Sequence, residues 1–225
     1  MDDTFDVLLG EEKKRFTLHN DFFIPRSEFF RAARSAAWNK DNPQRPTNLE
    51  DEDPDVFASY MRCVYASNAD FFPEVELASF APFIRLYLLA DKLGDFMTAN
   101  MVIDRMVRYS DEDKLLPGHR DVELAYNFTA SGNPLRAVLR DYLIHEDSQV
   151  FDINKSANLP RDYLHDIIAG YTEIKRRVST RTTTVKSAFC VKVSTMARCH
   201  YHQHGPSHPR CTPSQPAPVK AVQID

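Results

Sequence analysis

Two short apolar runs open the chain, Phe5 to Leu9 and Arg15 to His19, joined by Gly10-Glu11-Glu12-Lys13-Lys14. Glycine supplies the turn and the charges keep it solvated, so the pattern predicts a β-hairpin. After Pro25, Phe29, Phe30, Ala33 and Ala37 recur at helical spacing behind Ser27 and Glu28, which suit a first turn. A polar connector with two prolines, residues 39–47, leads to Asn48, Leu49 and Glu50, a candidate third strand. Asp53-Pro54 has the form of a helix start, with aspartate at the N-cap and proline where a missing N–H costs nothing. Val56, Phe57, Tyr60, Met61, Val64 and Tyr65 then line one face of a helix. Residues 82–95 are apolar nearly all round, which predicts a buried helix ended by Gly94.

Phe96, Ala99, Val102, Ile103, Met106 and Val107 mark a further amphipathic helix. Helical patterns resume over 122–128, 134–143 and 160–174. Beyond Lys175 the apolar period is lost, and residues 205–220 are rich in proline and polar side chains. The expected organisation is a β-containing unit over 1–110, an all-helical extension over 111–174 and a tail over 175–225 that is flexible or ordered only by a metal or partner.

The charge is divided in the same way. Residues 1–174 carry a formal charge of −12 and residues 175–225 one of +8, since Asp225 is the sole acid of the tail. Such a tail suits acidic partners, nucleic acid or the acidic body of its own chain. Hydrophobic residues at 43% and charged residues at 27% are those of a globular protein, and no run approaches the roughly 18 apolar residues of a membrane span. No basic-then-apolar leader opens the sequence, so an intracellular protein, cytoplasmic or nuclear, is expected, with its four cysteines reduced.

Three segments carry a resemblance. Phe16 to Phe30 (FTLHNDFFIPRSEFF), Asp53 to Ala66 (DPDVFASYMRCVYA) and Leu86 to Asp95 (LYLLADKLGD) are similar, in this order, to the conserved runs of the BTB/POZ family. Tyr126, Thr129, Pro134, Leu135 and Arg136 resemble a segment that follows the domain in fungal members. The resemblance covers roughly residues 5–150. It implies an α+β fold, a hairpin and short sheet packed on a helical bundle with an all-helical C-terminal extension. It also implies a non-catalytic role in joining identical or different proteins, in some members as substrate adaptor on a cullin-type ubiquitin ligase scaffold. Members that exchange an N-terminal strand carry sequence ahead of the hairpin, where this chain has Met1 to Thr4, so a strand-exchanged dimer is not expected. Cullin-binding members carry an apolar-x-Glu triplet where this chain has Trp38, Asn39 and Lys40.

Trp38, Phe71 and Phe72 are aromatic residues in connecting loops and are the candidate partner contacts, because aromatics concentrate at protein interfaces. Trp38 reads equally as an anchor and as a buried staple. Phe16, Phe29, Phe30, Phe57, Tyr60, Val64 and Tyr65 read as core, and His19 as framework. The tail supplies the sharpest chemistry. Cys199, His202, His204 and Cys211 offer the four soft donors of a structural zinc site, a spacing that also resembles the ending of some fungal BTB proteins. Cys190 and His208 stand nearby, and a histidine-rich flexible tail with free thiols is the other reading of the same residues. Lys175-Arg176-Arg177 reads as a nuclear-import cluster or as the basic end of a helix. Phe189 and Tyr201 alone interleave the basic tail, which gives bases little to stack on and ranks nucleic acid below protein as a partner. The six glycines are isolated, so no phosphate-binding loop can be written, and neither H-E-x-x-H nor G-x-S-x-G occurs.

Overall fold

The two opening runs form the hairpin: β1 (Thr4–Leu9) pairs antiparallel with β2 (Lys14–His19), Phe5 opposite Leu18 and Leu9 opposite Lys14. The computed structural model describes residues 3–35, 45–69, 79–113, 115–145, 159–180, 192–196, 198–205 and 211, with backbone alone at 177–180 and 198. Gly10 turns the chain at φ 67°, and the Lys13 amide closes the turn on the Gly10 carbonyl at 3.1 Å. Successive side chains of a strand point to opposite faces, and in β1 the buried set is Phe5, Val7 and Leu9.

The chain then passes through α1 (Asn20–Phe23) and α2 (Glu28–Ala33) before β3 (Thr47–Leu49). β3 lies parallel to β1, giving the order β2-β1-β3, and a parallel neighbour requires such a crossover. Ser27 sets the start of α2: its hydroxyl oxygen accepts the Phe30 amide at 3.1 Å and donates to the Leu93 carbonyl at 2.6 Å. That second bond ties the crossover to the helical layer.

Asp53 caps α3 (Pro54–Ala66), its Oδ1 accepting the Asp55 amide at 2.8 Å with Pro54 in the first turn, as the sequence predicts. α4 (Ala81–Lys92) is the buried helix, with Phe83, Ile84, Leu86, Tyr87, Leu89 and Ala90 enclosed. Gly94 follows it at φ 63°, where a β-carbon would stand 2.9 Å from that of Glu28. Glycine is therefore needed both for the conformation and for the approach of α4 to α2. α5 (Phe96–Asp113), α6 (His119–Phe128), α7 (Pro134–His145) and α8 (Arg161–Thr180) complete the helices.

The molecule is thus mixed α+β, a three-stranded sheet with eight helices among the described residues. One apolar cluster runs from Phe5 of the sheet through α4 and α7 to Tyr163, Val193 and Tyr201. The expected boundary after residue 110 falls inside α5, and that after 174 inside α8. Arg176 still pairs with Glu173 one turn back, at 2.9 Å, where helical pattern had been expected to end. Phe30, Phe57, Tyr60 and Val64 are core, while Phe16 and Phe29 are half-buried against it. Tyr65 departs from expectation. It is 39% exposed, because it lies to one side of the arc of α3 that Phe57, Tyr60, Cys63 and Val64 bury.

Candidate metal centre

The described part of the tail lies on the body. Val193 opens one 3-10 turn (Val193–Thr195), Cys199 sits in a second (Arg198–His200), and Val193 and Tyr201 are both buried. Polar contacts fix the same segment along its length. Lys192 Nζ lies 3.2 Å from Asp111, His200 Nε2 lies 3.1 Å from Asp141, and the Tyr201 hydroxyl donates to Asp141 at 3.0 Å. Gln203 is held by backbone and side chain: its amide donates to Asn100 Oδ1 at 2.8 Å, its carbonyl accepts from Asn100 Nδ2 at 2.9 Å, and its Nε2 donates to Tyr87 Oη at 3.0 Å and to Asp91 at 2.9 Å. The contrast between acidic body and basic tail is in this part an intramolecular complement.

Asp141 is the centre of that docking. Burial alone would raise its carboxyl, but the His200 hydrogen bond, the charge and hydrogen bond of Arg140 and the Tyr201 hydroxyl hold it below the usual aspartate value. Burial, followed by the Asp141 charge, pushes the Tyr201 phenol upward, so it remains a donor.

Docking gathers the tail's soft donors. Ligand atoms of Cys199, His204 and Cys211 all lie within 4.8 Å of one another, and each residue is half-buried. Cys211 Sγ stands 4.0 Å from His204 Nε2, and the Cys199 thiol donates to the Cys211 carbonyl at 3.7 Å. A tetrahedral zinc ion with sulfur and nitrogen ligands spaces its donors roughly 3.3–3.8 Å apart, so small side-chain rotations suffice to close the group on an ion. His202, the fourth residue of the predicted set, is not part of that group and only adjoins it, with Nδ1 3.0 Å from Cys211 Sγ. Its other nitrogen, Nε2, is 3.0 Å from Asp104 Oδ1 on α5. Burial, and then the neighbouring Cys199, raise the Cys211 thiol above its ordinary value; a bound cation reverses that balance and takes up the thiolate. Cys63 belongs to different chemistry, since burial pushes its thiol up to about 12 and it serves as core.

The group Cys199, His204 and Cys211 can therefore hold a metal ion. Cys190 and His208 lie outside the described residues, as do the predicted partner contacts Trp38, Phe71 and Phe72. The residues that receive the tail, Tyr87, Asp91, Asn100, Asp104 and Asp141, were not anticipated. They stand 59 to 116 positions from their tail partners, and the only sign of them in the sequence is the opposite charge of body and tail. Among the described residues, no helix is long and apolar enough to cross a membrane. Comparisons with protein-family models, with curated proteins and with solved structures found no match.

Proposed function

We propose that the chain is a non-catalytic protein-association module of the BTB/POZ kind. Element order supports the reading: a hairpin, short helix, third strand and amphipathic helix follow one another as the resemblance implies, with a small sheet beside a set of helices. The observation that carries it is an aromatic face left open where β2, α1 and α3 meet. Phe22 is 46% exposed beside Tyr65, with ring centroids 5.2 Å apart, and His19 Nδ1 lies 2.8 Å from the Tyr65 hydroxyl. The Tyr65 ring also rests edge-on against buried Phe23 at 5.3 Å. Rings so fixed lose little freedom when a partner covers them, and aromatic residues with a polar tip dominate interface energetics.

Zinc is the ion we assign to the tail group, because two thiols and an imidazole are soft donors that favour it over magnesium or calcium. Lys192 of the tail pairs with the body's own Asp111, and Phe189 and Tyr201 are the tail's only aromatic residues, Tyr201 being buried, which favours a protein-binding role over a nucleic-acid one.

Affinity purification of the full chain, beside sedimentation of the purified protein, tests the association reading. The wild-type chain is expected to self-associate or to retain a polypeptide, a cullin scaffold being one recognisable outcome, and Phe22→Ser with Tyr65→Ser is expected to abolish that association. The double variant also loses the ring contacts with His19 and Phe23, so circular dichroism and urea unfolding of each variant verify that the fold is kept. A monomer that retains nothing, or association indifferent to both substitutions, overturns the reading.

A further inference from the structure

Resting on the zinc assignment above, we propose that the metal is a latch that fastens the C-terminal segment to the helical body, with His202 as fourth ligand through Nδ1 and Asp104 of α5 as the residue that positions it. The two nitrogens of the His202 imidazole face different partners. In a neutral ring one nitrogen donates and the other offers a lone pair. The Asp104 carboxylate, 3.0 Å from Nε2, takes the N–H, which leaves the Nδ1 lone pair facing Cys211 Sγ at 3.0 Å. At 3.0 Å the two atoms are in close polar contact, nearer than the roughly 3.5 Å between sulfur and nitrogen on one zinc ion. An ion entering between them would displace the thiol proton and push the two atoms slightly apart.

The His202 side chain is only 5% exposed, so the pair is built into the surface of α5 and not lying free upon it. A carboxylate on the far nitrogen of a metal-binding histidine fixes its tautomer and orientation, and losing such a partner costs 10–100-fold in affinity. Cys199, His204 and Cys211 already lie together, and His202 Nδ1 reaches that group at Cys211; closing it on the ion would make two thiolates and two imidazoles, four ligands with no position left for water, which is a structural site. The balance is one Zn²⁺ in and two thiol protons out, both histidines remaining neutral.

The placement of the ligands gives the site its purpose. His202 and His204 flank Gln203, the residue bonded through its backbone to Asn100 on α5 and through its side chain to Tyr87 and Asp91 on α4. Cys199 lies two residues before buried Tyr201, and Cys211 closes the loop from the other side. An ion held by these four residues therefore clamps the two neighbours of the docked glutamine, while Asp104 ties the ion's own ligand to the helix beneath. Binding energy at the metal becomes docking energy for the segment.

The test uses the full chain, prepared metal-free under reducing conditions and titrated with Co²⁺, then Zn²⁺, while amide hydrogen exchange is followed over residues 192–205. Wild-type protein is expected to give the visible bands of tetrahedral cobalt with a thiolate charge-transfer band, and to take up one zinc in its place. Metal should slow exchange at Gln203 and its neighbours at least tenfold. Asp104→Asn is expected to weaken zinc 10–100-fold with the thiolate band retained, and His202→Ala to lose the tetrahedral bands. Cys199→Ser with Cys211→Ser should remove both binding and the metal-dependent protection, and circular dichroism of each variant verifies the fold. Absence of any thiolate band in the wild type overturns the zinc assignment itself. Thiolate-bound metal with wild-type affinity in both Asp104→Asn and His202→Ala, or unchanged exchange over 192–205, leaves zinc in place and overturns the latch.

Discussion

Asp95→Ala is expected to cost the folded protein about 3–5 kcal/mol, a large part of the roughly 5–15 kcal/mol that a domain possesses. Asp95 is fully enclosed just ahead of α5. Its Oδ1 accepts the Thr98 amide at 2.9 Å; its Oδ2 accepts the Thr98 hydroxyl at 2.7 Å and the Tyr60 hydroxyl at 3.1 Å, and stands 3.3 Å from Arg26 Nε. Arg26, with 12% of its side chain exposed, reaches back from the α1–α2 connection to the Thr98 hydroxyl at 2.9 Å and the Val64 carbonyl at 3.4 Å. The α1–α2 connection, α3 and α5 thus meet on one carboxylate. Deletion leaves a buried guanidinium without its counter-charge and three donors without that acceptor, and that is more costly than the pair itself is worth. Asp95→Asn keeps an acceptor for Thr98 and for Tyr60 but removes the charge, so an intermediate loss is expected. Urea unfolding of the three proteins measures the series. A loss under about 1 kcal/mol for alanine, or an asparagine variant as stable as wild type, contradicts the view that this charge pair organises the junction of the α1–α2 connection, α3 and α5.

Arg136→Ala is expected to cost about 2–4 kcal/mol, and Arg136→Lys to recover less than half of it. The guanidinium is 4.3 Å from the Tyr126 ring, donates from Nε to the Thr129 hydroxyl at 2.9 Å and from Nη2 to the Tyr126 carbonyl at 3.0 Å, and meets the Thr129 carbonyl as well. These bonds take up carbonyl groups at the end of α6 that no further helical turn would satisfy. Lysine supplies a charge but not a planar fork with several donors, so it cannot serve the ring, the hydroxyl and two carbonyls together. Asp162, also within 3.3 Å, is 73% exposed and adds little. Unfolding midpoints decide: a lysine variant equal to wild type would show that charge, not the fork, holds α6 to α7.

Arg136 also shows what the sequence could disclose. Tyr126, Thr129, Pro134, Leu135 and Arg136 stood out as one spaced motif, and Tyr126, Thr129 and Arg136 are in direct contact, so a local pattern reported a local cluster. The hairpin, the Asp53 cap, the buried helix and Gly94 were legible for the same reason, each being decided by residues within one or two turns of chain. Tyr65 was not. It stands at the margin of the apolar stripe of α3, and periodicity does not say how much of the stripe's width the core covers. Leu164, Ile168 and Tyr171 repeat the case on α8, where Tyr163 and Ile167 are enclosed and the rest of the apolar stripe is open. In the tail the donor residues were legible by type, yet their arrangement depends on Asp104 and Asn100, about a hundred positions away. No pattern of neighbours encodes such a contact; it arises from tertiary docking of a segment with no apolar period of its own.

Site-specific photocrosslinking probes the association face most directly. A photoreactive phenylalanine analogue placed at position 22 of the full chain, with the same analogue at 128 as reference, samples two exposed aromatic positions, the latter at the end of α6. The account predicts adducts with another polypeptide, or with a second copy, from position 22, lost on Tyr65→Ser, and far fewer from 128. Adducts from 128 alone, or position 22 reacting only with solvent, would contradict it.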